Sequence, residues 1–422
     1  MDATRPAAAP EAPWKARFFT IWVGQAFSLF GSQLVQFALI WYLTERTGSA
    51  TVLATASLAG LLPQVFLSPL IGTLVDRWNR RAVMIVADGT VALTTLALAV
   101  LFALERIEVW HIYAALFARA VGGGFHQSAL GASMVLLVPK AQLARVQGLN
   151  QALRGGLDVV AAPLGALLLT LLPMQGVLAV DIGTAALAIT PLLIFALPQP
   201  ERTVPANGKP TVWQDMLAGL RYVLGWPGLV VVLAMVLVIN FLLMPALSLL
   251  PLLVTAHFQG DAWHLSWLNA ALGAGTIAGG LLLSAWGGFR RRVLTALAGL
   301  VGLGLATALV GFTPASAYWL AVAALGLSGL MTPIVNGSFG ATLQASIAPD
   351  MQGRVFALIL SVASGLGPVG LLLAGPLADA WGVQTWFVVG GLVCAGMGLL
   401  GFCLPPVANF ESRVVVDTAA AA

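Results

Sequence analysis

Only 9% of the 422 residues are charged, 59% are hydrophobic, and the mean hydropathy is +0.94. No water-soluble domain hides that much apolar surface behind so few charges, so the bilayer must be the solvent for most of the chain. The net charge is only +4, and no basic run is interleaved with aromatics, which argues against a nucleic-acid partner.

The N-terminus is polar as far as Arg17. The apolar run after it is too long for a signal-peptide core and lacks a cleavage site, so it reads as a retained first span. A span needs roughly 20 apolar residues. Twelve runs qualify: 18–43, 51–74, 82–104, 109–138, 146–172, 176–197, 226–256, 262–286, 293–313, 316–345, 355–379 and 383–404. They are too long for barrel strands and must be helices, because lipid leaves no other way to satisfy the backbone.

The expected architecture is an all-α membrane protein of twelve helices in two six-helix halves, 18–197 and 226–404. Tails at 1–17 and 405–422 flank the halves, and an alanine-rich, disordered end is expected after Phe410. The linker 198–225 carries Pro198, Pro200, Pro205, Asn207, Gly208 and Pro210, followed by a possible amphipathic helix over 211–222.

Charge sets the orientation. With the N-terminus inside, 16 of the 20 Lys and Arg residues fall on the cytoplasmic side. Only Arg46 and Arg106 fall outside, and Arg119 and Arg154 lie within spans. Such a bias calls for an even number of spans with both termini cytoplasmic. The stretch Gly72-Thr-Leu-Val-Asp76-Arg77-Trp-Asn-Arg80-Arg81 reads as a basic loop between spans 2 and 3. Topology requires its arginines but neither Gly72 nor Asp76.

The halves echo each other. LVPKAQLARVQGL (137–149) leads into helix 5 and SIAPDMQGRVFAL (346–358) into helix 11. Pro163 and Gly165 in helix 5 have counterparts in Gly367 and Pro368 of helix 11, a candidate pair of hinges. Matching interruptions in two halves mark a duplicated transporter fold.

Ionisable residues within spans are functional candidates. Arg119 and His126 lie seven apart on one face of helix 4, and His126 can titrate near neutral pH. Arg154 and Asp158, at i and i+4 in helix 5, can neutralise each other or hold a proton. Asp88 and Asp181 lie nearer the ends of peripheral helices and read as structural. Polar stripes run along helix 1 (Gln25, Ser28, Ser32, Gln36) and helix 10 (Ser328, Thr332, Asn336), and helix 7 offers Asn240 and Met244. A polar stripe in lipid either joins helices or lines water; lining would make these the substrate-binding set. Cys394 and Cys403 are separated by about 13.5 Å of helix, too far for a disulfide, and two cysteines offer no metal site. No phosphate-binding loop occurs, so no cofactor is called for and coupling would come from an ion gradient.

The G-x-x-x-D-R-x-x-R-R pattern resembles the loop between helices 2 and 3 of the major facilitator superfamily. Arg119 with Gly122, Gly123 and Gly124 is similar to that family's helix-4 motif, and Pro163 with Gly165 loosely resembles its helix-5 antiporter motif. The segment 18–50 further resembles bacterial macrolide-efflux proteins, whereas the second-half counterpart GGFRRR (287–292) lacks an acid.

The resemblance implies alternating access about a cavity lined by helices 1, 4, 7 and 10, in a monomer of the bacterial inner membrane. It implies a cytoplasmic gate formed by Gly72, Asp76, Arg77, Arg80 and Arg81, with Asp76 pairing to a basic group or helix end of the facing half. It also implies a proton path through Arg119 and export of a hydrophobic drug in exchange for protons. The rival readings are a siderophore or metabolite exporter, a multispanning enzyme, for which the outer histidines lack an acidic cluster, and a non-transporting sensor.

Overall fold

A computed structural model describes residues 14–139, 142–195, 197, 220–347, 351–408 and 410. No strand occurs among them. The helices of the first half are α1 (Trp14–Thr47), α2 (Ala50–Arg77), α3 (Arg80–Ala103), α4 (Val109–Leu137), α5 (Leu143–Leu171) and α6 (Met174–Ile194). In the second half, α7 (Pro227–Ser248) continues through Leu250–Leu252 into a π-helical turn, Leu253–His257. It is followed by α8 (Ala262–Trp286), α9 (Arg292–Phe312), α10 (Tyr318–Ser346), α11 (Gln352–Gly365 with Gly367–Trp381) and α12 (Val383–Cys403).

Ten helices among the described residues are long and apolar enough to cross a membrane. The other two of the twelve expected spans fall on α4, which carries Arg119, His126 and Gln127, and on α11, which breaks at Leu366. The expected amphipathic linker helix falls mostly outside the described residues, as does the alanine-rich end. Residues 405–408 and Phe410 pack against the start of α7: Phe410 stacks on Trp226 with ring centroids 4.4 Å apart.

The expected loop between spans 2 and 3 is nearly absent. Gly72, Asp76 and Arg77 belong to the last turns of α2, and Arg80 opens α3. Only Trp78 and Asn79 connect them. Asn79 accepts from the Ala82 backbone N–H at 3.2 Å, an N-cap strong enough to start α3 immediately. Trp78 stacks on Phe125 of α4 and fixes the turn.

The paired interruptions also diverge. α5 runs unbroken through Pro163, while Gly165 admits the Phe37 ring, which a Cβ there would meet at 2.7 Å. α11 is interrupted between Gly365 and Gly367, and Pro368 lies in the first turn of its second segment. Gly367 lies against the Met244 sulfur, where a Cβ would overlap it.

Among the described residues three large apolar cores, and a small one of Ala54, Leu58 and Leu371 between α2 and α11, hold the bundle. Near the end where the chain begins, the first half has its own core around Phe18, Val75, Met84 and Leu192. The second half has another there, around Trp226, Leu229, Leu297 and Val355. At the opposite, distal end both halves share one core, in which Leu43, Leu53 and Leu178 join Leu253, Leu325 and Phe387. The described apolar cores therefore join the halves distally, while proximally each half has a core of its own.

A polar latch reinforces the distal closure. Asp379, in the last turn of α11, accepts hydrogen bonds from the Ala50 and Thr51 backbone N–H groups at 2.6 and 3.1 Å. It also accepts from the Thr51 and Ser49 hydroxyls at 2.7 and 3.1 Å. A carboxylate of the second half thus satisfies the free N–H groups that open α2 in the first. Next to it, Gly375 lets α11 approach until a Cβ would lie 2.7 Å from the Thr51 Cα.

Close approach also organises the second half. Gly304 and Gly391 face each other where α9 crosses α12, and a Cβ on either would overlap the other helix's backbone. Helices without a hydrophobic drive to associate rely on such contact. Gly391→Leu is expected to destabilise the protein by about 1–3 kcal/mol, read as a lower unfolding temperature in detergent. Asp379→Ala should remove an N-cap worth about 1 kcal/mol. Spin labels on the distal ends of α2 and α11 should then report a roughly fivefold larger distally open population; an unchanged distance distribution would count against the latch.

Candidate functional site

The first half contains a polar centre that four helices build together. Arg119 of α4 places Nη1 2.5 Å from Asp181 Oδ2 of α6. Thr95 of α3 donates to the same carboxylate oxygen at 2.9 Å and accepts from Arg119. Ser32 of α1 donates to Asp181 Oδ1 at 3.2 Å, and its carbonyl accepts from Arg119 Nη2 at 3.4 Å. Asp181 is 1% exposed and Arg119 8%. A buried guanidinium is tolerated only with such a partner. Asp181 is thus Arg119's counter-ion, which no spacing in the sequence announces.

A second buried pair lies beside it. His126 Nδ1 is 2.8 Å from Asp88 Oδ1, and both side chains are 7% exposed. Asp88 and Asp181, expected to be structural residues of peripheral helices, are both buried, and helix packing brings each against a residue of the predicted helix-4 face. The signal available was an acid within an apolar run, a functional candidate by default. Arg119, His126 and Asp88 line a polar cavity of about 490 Å3, with Ser28, Ser32, Gln36, Gln64, Gln127 and Met244.

Arg154 and Asp158 do not pair among the described residues. Arg154 Nη2 donates to Gln127 Oε1 of α4 at 2.9 Å, drawing it away from its own helix face. Asp158 lines a separate cavity of about 400 Å3 between the halves, with Gln33, Gln36 and Asn269. The backbone there touches α8: a Cβ at Gly273 would lie 3.3 Å from the Asp158 carbonyl oxygen.

The predicted substrate-binding residues divide between sites. Ser28, Ser32, Gln36 and Met244 line the polar cavity. Asn240, Ser328, Thr332 and Asn336 line an apolar cavity of about 300 Å3 within the second half, beside Phe339 and Leu300. There Asn240 donates to the Val236 carbonyl of its own helix at 2.9 Å, and the Ser328 and Thr307 hydroxyls lie 3.4 Å apart. Gln25 is buried against α6, donating to the Ala188 carbonyl at 3.4 Å. It borders a further cavity of about 360 Å3 that includes Arg154.

The gate residues separate into two groups. Arg80 donates to the Ala132 carbonyl of α4 at 2.9 Å. Arg81 donates to the Leu192 carbonyl and, at 2.7 Å, to the Leu193 carbonyl in the last turn of α6. Arg81 meets unsatisfied carbonyls and the negative dipole end at the C-terminus of α6, and both arginines fasten the first half internally. Asp76 is 76% exposed and only 3.7 Å from Arg80. Arg77 is exposed and Gly72 has open space beside it.

Asp181→Asn should leave Arg119 without its counter-ion and destabilise the fold by about 3–5 kcal/mol, seen as a lower unfolding temperature. Adding Arg119→Gln should recover part of that loss. Additive losses would mean that the two residues do not act as a pair.

Residues 21–368 match the Major Facilitator Superfamily. Macrolide efflux protein A of Streptococcus pyogenes is 35% identical over 383 residues, covering 90% of this chain and 94% of that protein. Multidrug efflux pump Tap of Mycolicibacterium fortuitum is 27% identical over 386 residues, 89% of this chain and 92% of that one. Among solved structures, an inward-facing bacterial homologue of the iron transporter ferroportin superposes with a TM-score of 0.69 at 13% identity, covering 92% of this chain and 99% of that one. A bacterial homologue of the human lysosomal transporter Spinster gives 0.66 at 13% identity, over 96% and 98%. The chain belongs to the Major Facilitator Superfamily and is a multi-pass membrane transporter of small molecules.

Proposed function

We propose that this transporter exports macrolides or similar hydrophobic drugs across the bacterial inner membrane in exchange for protons. The observation that carries the reading is the 35% identity to a macrolide efflux protein along nearly the whole chain. The charge bias puts both termini, and so the proximal end, in the cytoplasm. A shared distal core with the Asp379 latch, against one core per half proximally, supports reading this state as inward-facing.

Asp76 fits an inner gate in its released state, since its carboxylate is free to reach the facing half when the proximal end closes. The break in α11 gives that closure a hinge. The apolar cavity of the second half offers a bulky hydrophobic molecule contact area with a few orienting polar groups. Proton coupling is assigned to the buried and cavity-lining groups of the first half, among Arg119, His126, Arg154 and Asp158. The reading has the protein working as a monomer.

The test is accumulation of a labelled macrolide in a pump-deficient bacterium, with and without the transporter and a protonophore. Expression should lower accumulation and the protonophore should abolish the effect. Asp76→Asn should reduce export roughly tenfold, the loss expected on removing about 1.4 kcal/mol from a conformational step, at unchanged membrane abundance. No change in accumulation with the protein present in the membrane would move the assignment to a siderophore or other metabolite.

A further inference from the structure

The glycine run of α4 has a geometric consequence. Gly122 lies so close to α3 that a Cβ would meet Val91 Cγ2 at 2.9 Å and the Ala87 carbonyl at 3.2 Å. That approach brings Asp88, the next residue along α3, against His126, one turn further along α4. Asp88 Oδ2 is buried and has no hydrogen-bond partner, and the His126 Nδ1 contact to Oδ1 lies off the line of a good hydrogen bond. A carboxylate kept from water without full hydrogen-bond compensation is expensive.

The surroundings favour a proton over any other cation. Arg119 is neutralised by Asp181, so those two add no net charge to the cavity. Other acidic, basic and histidine side chains on the neighbouring helices stand toward the ends, Lys15, Arg17, Asp76, Arg77, Arg80, Arg81 and Arg145 proximally and Glu45, Arg46, Glu108 and His111 distally, except Arg154 and Asp158 of α5; Asp158 lies midway along that helix and lines the adjoining cavity. Arg154 is engaged with Gln127. A metal or alkali ion needs several oxygen ligands, and no cluster of three or more metal-ligating acids, histidines or cysteines occurs among the described residues.

We propose that Asp88 and His126 form the dyad that carries the transported proton. The inference rests on the proton-coupled reading above. In the empty dyad Asp88 is a carboxylate and His126 a neutral imidazole, which leaves the cavity one charge negative. Loading adds one proton from cavity water; the pair then shares it as carboxylic acid and imidazole or carboxylate and imidazolium, and the cavity becomes neutral. Unloading returns the same proton to water on the other side. Asp158 plays no part in this exchange.

The deciding measurement is difference infrared spectroscopy of the full-length protein in lipid nanodiscs, titrated from about pH 8 to about pH 5, where an imidazole can exchange protons. No drug is needed. A protonated-carboxyl band should grow on acidification, vanish in Asp88→Asn and persist in Asp158→Asn. His126→Gln should displace its midpoint by about tenfold in proton concentration; this variant decides the matter if Asp88→Asn does not fold. A band that survives Asp88→Asn, or an unmoved midpoint in His126→Gln, overturns the dyad.

A second arm uses proteoliposomes. His126→Gln should lose gradient-driven macrolide accumulation at least tenfold while keeping exchange of labelled for unlabelled macrolide; retained accumulation overturns the dyad. If the wild type moves no macrolide at all, the drug assignment fails while the infrared result still decides the proton site.

Discussion

The Arg119–Asp181 pair is the constraint on which the first half depends. A guanidinium cannot stay in an apolar bundle without a counter-charge, and the one it finds comes from another helix. Thr95 and Ser32 complete the coordination, so α1, α3, α4 and α6 meet at one point. With that point fixed, Gly122 of α4 can hold α3 close and the face carrying Arg119 and His126 lines a cavity of defined shape. The arginines at the start of α3 repeat the principle at the proximal end, where they take up carbonyls of α4 and α6.

The two halves divide the chemistry. In the first, Asp88, Arg119, His126 and Asp181 are all buried, and its cavity is polar. In the second, the described cavity is lined by aliphatic groups with a few hydroxyls and amides and no ionisable side chain. Buried charge and apolar contact surface are thereby kept apart.

The helix pair α2 and α11 spans the boundary between the halves and carries an acid near each end. Asp379 occupies the N-terminus of α2 at the distal end, where four donors converge on it. Asp76, at the proximal end of the same pair, has only a loose contact with Arg80. One helix pair thus carries a carboxylate held by a full set of donors at one end and an exposed, loosely held one at the other.

Much of the architecture was legible in the chain because a bilayer imposes simple rules. Apolar runs of span length, glycine and proline interruptions and the bias of basic residues led to a helical bundle in two halves, and the G-x-x-x-D-R-x-x-R-R and R-x-x-G-G-G motifs led to the family. Local chemistry was harder: Asn79 caps α3 so early that an apparent loop is helix. Arg154 and Asp158, one turn apart, turn to different cavities because Gln127 of α4 competes for the arginine. Asp181 meets Arg119 across 62 positions and Asp379 meets Ala50 across 329. By itself the sequence determined what must be buried in lipid, because hydropathy is a property of each segment. Which buried charge meets which was decided by the tertiary structure, because that depends on the rotation and separation of helices, and these follow from packing between segments far apart in the chain.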